Sequence, residues 1–172
     1  YEMQRSLVGS EMCIRDSSIG DIYNYSLIMK EYKLNFEGYW RDINKGGLPS
    51  YSGIYFVYRC IYNAQSNSVE LVDIIYIGQA DNIHDRHNNH EKYSEFSSLL
   101  LQGQELCYSC APLDEDRDLV ENALIFAQKP VLNEQGKYNY NYTEAHIVSA
   151  GACACLRNTD FNMKYYVENL NR

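Results

Sequence analysis

Gly53-Ile54-Tyr55-Phe56-Val57-Tyr58-Arg59-Cys60-Ile61-Tyr62 and Val69-Glu70-Leu71-Val72-Asp73-Ile74-Ile75-Tyr76-Ile77-Gly78 are two runs of β-branched and aromatic residues joined by a polar tip, Asn63-Ala64-Gln65-Ser66-Asn67-Ser68. That composition reads as a β-hairpin. Both faces of each run are apolar, as a sheet covered on both sides requires. The outer ends carry mirror-image tripeptides, Gly53-Ile54-Tyr55 and Tyr76-Ile77-Gly78. In a symmetric antiparallel hairpin Tyr55 faces Tyr76 and Gly53 faces Gly78. One face then carries Tyr55, Val57, Val72, Ile74 and Tyr76, and the other carries Ile54, Phe56, Ile75 and Ile77. A helix-like stretch follows, with Asp81 or Asn82 as its N-cap. On it Arg86 and His90 are four residues apart and share one helical face. Two phenols, a guanidinium and an imidazole are thus expected to converge, while His84 and His87 fall off that face and read as exposed.

This order of features resembles the GIY-YIG endonuclease family: GIY, then YIG, an arginine eight residues after the last glycine, a histidine four later, a helical glutamate at Glu121, and Pro130-Val131-Leu132-Asn133. The resemblance runs from about residue 52 to 133. Twenty residues separate Tyr55 from Tyr76, more than in the most compact members. Extra length at a loop tip leaves pairing at the open end intact. The resemblance implies an α/β fold, a small sandwich with a central three-stranded antiparallel sheet flanked by helices, to which further C-terminal strands are added. It also implies a metal-dependent endonuclease that uses Mg2+ or Mn2+ to hydrolyse nucleic-acid phosphodiesters, DNA in the first instance. Tyr55 would orient or deprotonate the attacking water, and Tyr76 would hydrogen-bond across the pocket to phosphate or water. Asn133 would fix the site through hydrogen bonds. Gly53, Gly78, Arg86, Lys92 and Asn133 form the expected substrate-binding set.

Phosphodiester cleavage needs an activated water, neutralisation of charge on the phosphoryl oxygens and stabilisation of the leaving oxyanion. A free phenol titrates near ~10, so Tyr55 acts as a base only if a neighbouring cation, Arg86 or the metal, lowers its pKa. Read alone, Tyr55 is one of 17 tyrosines and would be core packing. Arg86 offers a planar fork suited to bidentate phosphate contact; read alone, it is a solvated surface residue. His90 can accept the tyrosine proton or bind phosphate, since an imidazole titrates near ~6.5. Glu121 interrupts the apolar run Leu119-Val120-Glu121-Asn122-Ala123-Leu124-Ile125-Phe126, where a carboxylate is costly unless paired or bound to metal. One carboxylate with waters and a phosphate is a common way to hold Mg2+. The bland reading is a buried salt bridge with Arg117, four residues earlier.

The remainder of the chain reads as one domain in four parts: 1–17, 18–51, 52–135 and a C-terminal extension 136–172 packing on the same domain. Residues 4–17 resemble translated sequencing-adapter read-through, with a natural helical or disordered leader as the other reading; the authentic start would then lie near Ser18 or later. Ile22 to Phe36 fits a strand or a short helix. Asn44 to Pro49 is a turn cluster, and Tyr93 to Leu101 reads as a helix ending at Gly103. A strand is expected around Leu106 to Cys110 and a helix from Asp116 to Gln128, with Asp114, Glu115 and Asp116 at its positive end and Pro130 as its stop. Another strand spans Ala145 to Ser149, and the residues from Leu156 cap the sheet.

No run of eighteen apolar residues occurs, and charges within the first twenty residues argue against a signal peptide. A cytoplasmic protein without membrane contact is expected. Apart from Cys13 the cysteines are Cys60, Cys107, Cys110, Cys153 and Cys155, free thiols in a reducing compartment. A four-thiolate zinc site is disfavoured, because strand alternation points Cys107 and Cys110 to opposite faces. The formal net charge is −8, and leaving out residues 1–17, with three acids and two bases, makes it −7. Duplex binding driven by counterion release calls for a basic surface, so affinity is expected from a particular substrate shape, an upstream segment or a protein partner. Two other functions fit the same residues: a non-catalytic nucleic-acid or protein interaction module, and an RNA-cleaving toxin or defence nuclease.

Overall fold

A computed structural model describes residues 29–167. The adapter-like stretch and residues 22–28 of the undecided segment lie outside the described residues. From Lys30 to Arg41 the chain alternates buried Tyr32, Leu34 and Phe36 with exposed Glu31, Lys33 and Asn35, and this period of two makes it a strand, β1. A 3-10 turn, Asp42–Gly47, leads to the hairpin β2 (Gly53–Asn63) and β3 (Ser68–Ala80). Two short helices follow, α1 (Ile83–Asn88) and α2 (Tyr93–Ser98), then β4 (Gln104–Pro112) and α3 (Arg117–Gln128). Then come β5 (Asn139–Tyr140), β6 (Ala145–Gly151), β7 (Asp160–Met163) and β8 (Tyr166–Val167). No helix among the described residues is long and apolar enough to cross a membrane.

The sheet overturns the expected three-stranded sandwich. Among the described residues it has six strands in the order β3-β2-β4-β1-β6-β7, it is curled and mixed, and the helices are few and short. The expected antiparallel trio β3-β2-β4 is one half of it. β1 supplies the other half, pairing antiparallel with β4 on one edge and parallel with β6 on the other, from Lys30↔Ala145 to Phe36↔Gly151. β7 then pairs with β6 and extends the sheet. Parallel pairing joins segments far apart in sequence and leaves no turn signature between them.

β2 is buried on both faces. Ile54, Phe56 and Tyr58 join one core with Phe36 and the α3 residues Leu119, Val120, Ala123 and Leu124. Tyr55 and Val57 join a second core with Leu48, Ile83, Phe96, Leu106 and Tyr108. Phe36 stacks on Phe56 at 4.2 Å between centroids, and each such burial contributes roughly 1.5–3 kcal/mol. Cys107 belongs to the first core and Cys110 to the second, on opposite faces as alternation requires. Cys155, in contrast, is exposed.

The hairpin register departs from symmetry. Tyr62 faces Val69 at the tip, as a symmetric hairpin demands, but irregularities between Val57 and Tyr58 and between Arg59 and Cys60 displace the open end. There Tyr55 faces Gly78, Val57 faces Tyr76 and Gly53 faces Ala80. Extra residues on β3 are β-bulges, which re-aim the strand and shift its side chains. Ile75 consequently packs with Tyr55 and Val57, whereas Ile74 packs on the α3 side, the reverse of the expected faces. Two bulges together preserve parity, so Tyr55 and Tyr76 stay on one face, as diagonal neighbours rather than opposite ones, 6.2 Å apart between ring centroids.

Candidate functional site

Gly78 lies directly opposite Tyr55, and a Cβ there would come within 2.5 Å of Tyr55 Cζ and 2.8 Å of Tyr76 Cε1. The bare backbone makes room for the phenol. At Gly53 a Cβ would collide with the Ala111 carbonyl of β4. Both glycines, expected to touch substrate, are packing residues in this arrangement.

Around the Tyr55 oxygen, the expected convergence of three residue types is present but arises differently. α1 opens on Asn82, whose side chain accepts from the Asp85 N–H at 3.1 Å, and it ends at Asn88, before His90. His90 therefore shares no helical face with Arg86; the bend at Asn89 turns it back toward the sheet. Its Nε2 is 2.8 Å from the Tyr55 oxygen, and its Nδ1 accepts the Lys92 backbone N–H at 3.1 Å. A nitrogen that accepts carries no proton, so the neutral ring is assigned the Nε2–H tautomer and donates to Tyr55. Burial, then the nearby Arg86 charge, push His90 down to about 4, which keeps it neutral at pH 7. In this state it cannot take the tyrosine proton at Nε2.

Arg86 Nε lies 3.5 Å from the same phenol oxygen, a long contact. Its two terminal nitrogens grip the Glu91 carboxylate at 2.7 and 2.6 Å. A guanidinium fork takes a carboxylate or a phosphate in the same way, so Glu91 occupies the position a phosphate would need. Glu91 is 63% exposed, and such a surface pair is worth only about 0–1 kcal/mol. Glu91→Gln is expected to tighten inorganic phosphate or oligonucleotide binding roughly two- to ten-fold, with little change in melting temperature, as calorimetric titration would read. Burial pushes the Tyr55 phenol above its ordinary value, and the Arg86 bond only partly opposes this.

His87 is buried, contrary to the exposed position expected. Its ring packs edge-on against Tyr55 at 4.6 Å and Tyr108 at 4.7 Å. Nδ1–H donates to the Ile83 carbonyl at 3.0 Å, and Nε2 is buried without a partner. It lies four residues after Ile83, which is also buried, so the two share the face of α1 that packs on the sheet. Tyr108 in turn donates to Asp42 at 2.6 Å, which also accepts from Tyr93 at 2.8 Å.

Tyr76 links this cluster to a cleft of about 350 Å3 that Glu121, Asp118, Asn122, Lys92 and Asn133 also line. Tyr55, Arg86 and His90 do not line it, so the expected residues fall into two adjoining groups that meet at Tyr76, whose ring is 5.7 Å from that of His90. Glu121 is partly buried and is pushed up to about 7 by burial, while Gln79 beside it opposes the rise. The salt bridge to Arg117 is absent: Arg117 donates to the Ala80 carbonyl at 2.7 Å and pairs with Asp81. Gln79 also binds Asp118, one turn before Glu121. Neither Gln79 nor Asp118 carries a sequence signal of its own.

The donor set suits a hard cation. Glu121 and Asp118 offer carboxylate oxygens to the cleft. Among the described residues no group of three or more His, Cys, Asp or Glu forms a ready-made cage; one or two carboxylates with waters is the usual Mg2+ arrangement. Lys92 sits at the rim with Glu95 at 3.2 Å and Glu134 at 3.9 Å. Asn133 is buried, accepts from the Ile77 N–H at 3.0 Å and donates to the Ile77 carbonyl at 2.8 Å. It clamps the strand that carries Tyr76 and Gly78, a positioning role. No family model, curated protein or solved structure matches this chain.

Proposed function

We propose that the protein is a metal-dependent endonuclease that hydrolyses nucleic-acid phosphodiesters, DNA in the first instance. One observation carries the reading: Arg86 and His90 meet on the single oxygen of Tyr55, while Glu121, half-buried on α3, faces the adjoining cleft beside Tyr76. A phosphate that displaces Glu91 from Arg86 would sit next to the Tyr55 oxygen. That oxygen accepts from His90, so its own O–H is free to donate to a phosphoryl oxygen or to a water. Arg86 stabilises the charge that builds on the phosphoryl oxygens. Tyr76 orients the group held in the cleft, and Lys92 adds positive charge at its rim. Glu121, with Asp118 close by, would hold Mg2+ or Mn2+, which supplies Lewis-acid activation and charge neutralisation when bound.

Metal-linked stability tests the reading separately from turnover. Mg2+ at ten times its Kd is expected to stabilise the native chain by about 1.4 kcal/mol, a rise in Tm of roughly 3–5 °C. Glu121→Ala should abolish that rise. A shift of equal size in both proteins would place the cation elsewhere and remove the support for Glu121 as its ligand.

A further inference from the structure

We propose that the trough running from Tyr76 past Tyr142 to Tyr138 binds one unpaired nucleic-acid strand, with bases stacked on tyrosine rings and their edges met by carboxamides. The inference rests on the nuclease reading for the nature of its ligand, and it deepens that reading by naming the substrate form. The Glu121 cleft continues into a second one of about 630 Å3, and the two share Asn122, Glu134, Gln135 and Tyr142. Tyr142 is 37% exposed and Tyr138 is 54% exposed. Tyr142 is held by a buried neighbour, and Tyr138 carries a cation on one face. Tyr142 packs at 5.7 Å on Tyr140, a fully buried ring whose hydroxyl is tied to the Thr143 carbonyl at 2.8 Å. Tyr138 has the Lys129 ammonium over its ring at 4.8 Å.

Rings fixed before binding lose little freedom when a base settles on them. Between them Asn122, Gln135 and Asn141 offer neutral groups that donate and accept, the chemistry of a base edge. Asn122 Oδ1 is buried without a partner, and Gly136 makes the room for this amide, because a Cβ there would lie 2.8 Å from Asn122 Nδ2. Charge selects against a duplex. The body is acidic at −8, and along the two clefts Asp118, Glu121 and Glu134 outnumber Lys92 and Lys137, so the trough lacks the basic excess that counterion release on a duplex needs. Stacking is tolerant of charge and of sequence, and it works on a strand whose bases are unpaired.

The test is fluorescence anisotropy with the full chain in EDTA, using labelled mixed-sequence single-stranded DNA, single-stranded RNA and the matching DNA duplex. At least one single strand should bind ten-fold or more tighter than the duplex. Tyr142→Leu and Tyr138→Leu should each weaken it roughly five- to ten-fold or more, whereas Tyr142→Phe, which keeps the stacking ring, should bind like the parent. Affinity should change by less than about ten-fold between 50 and 200 mM salt, far below the loss of a protein that relies on many phosphate contacts. Either sugar supports the site, and the tighter one names it. Circular dichroism verifies that the variants, altered at exposed rings, stay folded. Duplex bound as tightly as single strand, both leucine variants binding like the parent, or no oligonucleotide bound at all, would each overturn the proposal. Failure of the nuclease reading looks different: tyrosine-dependent strand binding without metal-dependent cleavage removes the enzyme and keeps the trough, and duplex cleavage indifferent to both tyrosines does the reverse.

Discussion

Arg86→Ala is expected to lower kcat/KM for metal-dependent oligonucleotide cleavage by about 10^3-fold or more, the scale on which a charge-stabilising arginine acts in phosphoryl transfer. The same variant should melt within about 1 kcal/mol of the parent, because Arg86 is only half-buried, its partner Glu91 is exposed, and its contact with Tyr55 is long at 3.5 Å. Activity and stability therefore separate cleanly at this residue. Arg86→Lys should recover little of the rate: an ammonium cannot grip two phosphate oxygens while also presenting an N–H toward Tyr55. Initial rates on a short labelled substrate, paired with a thermal melt, read both quantities. A rate within ten-fold of the parent in Arg86→Ala would remove Arg86 from the chemistry.

The second large effect is on stability in acid. His87 is pushed from 6.5 down to about 4, chiefly by burial. The Ile83 carbonyl and Asp42 favour the proton, whereas Arg86 and Lys45 oppose it. Between those two pH values the unfolded chain binds a proton that the native chain refuses, so stability rises with pH across the window. The contribution is complete above 6.5 and is lost as pH falls toward 4, about 3 kcal/mol for His87 alone. His90, shifted to a similar value by burial, adds in the same direction. Glu121, raised to about 7 by burial, works the other way, because between pH 4.5 and 7 its native carboxyl holds a proton that the unfolded chain has lost. The two histidines together outweigh it, and domains of this size are stable by only about 5–15 kcal/mol, so urea midpoints should fall between pH 6.5 and 4. His87→Phe should flatten the profile, since it keeps a ring between Tyr55 and Tyr108 and has no proton to refuse. An equally steep profile in His87→Phe would assign the acid sensitivity elsewhere.

Local chemistry was legible in the sequence where one residue decides. Asn82 caps α1, Pro130 follows α3, and alternation separates Cys107 from Cys110 onto two faces. The paired tripeptides correctly mark the open end of a hairpin, yet their register was not legible, because a β-bulge at Val72 or Ile75 has no composition of its own. Parity survived only because there are two such displacements. The larger miss is β1: Tyr32, Leu34 and Phe36 alternate plainly with polar residues, but they follow an apolar run that blurs the period, and their partners in β6 lie near the other end of the chain. A sheet assembled from such distant pairings cannot be read from turns, which is why the placing of β1 between β4 and β6 was absent from the expected fold, although a strand at Ala145 to Ser149 was expected. In the site, helical spacing gave the right partners for a wrong reason. His90 reaches Tyr55 through the bend after Asn88, and His87 turns inward with Ile83, four residues before it on the same helical face. Glu91 on Arg86, Gln79 against Asp118 and Asn122 facing the trough are products of loop and edge-strand geometry, without a spacing to announce them.

Supercoiled plasmid incubated with the purified chain in Mg2+ or Mn2+, beside Glu121→Ala, tests the central claim most directly. The parent should convert the plasmid to nicked or linear form, EDTA should stop it, and Glu121→Ala should leave it supercoiled. Conversion by Glu121→Ala at the parent's rate, or none by the parent on plasmid or on single-stranded DNA and RNA, would contradict it.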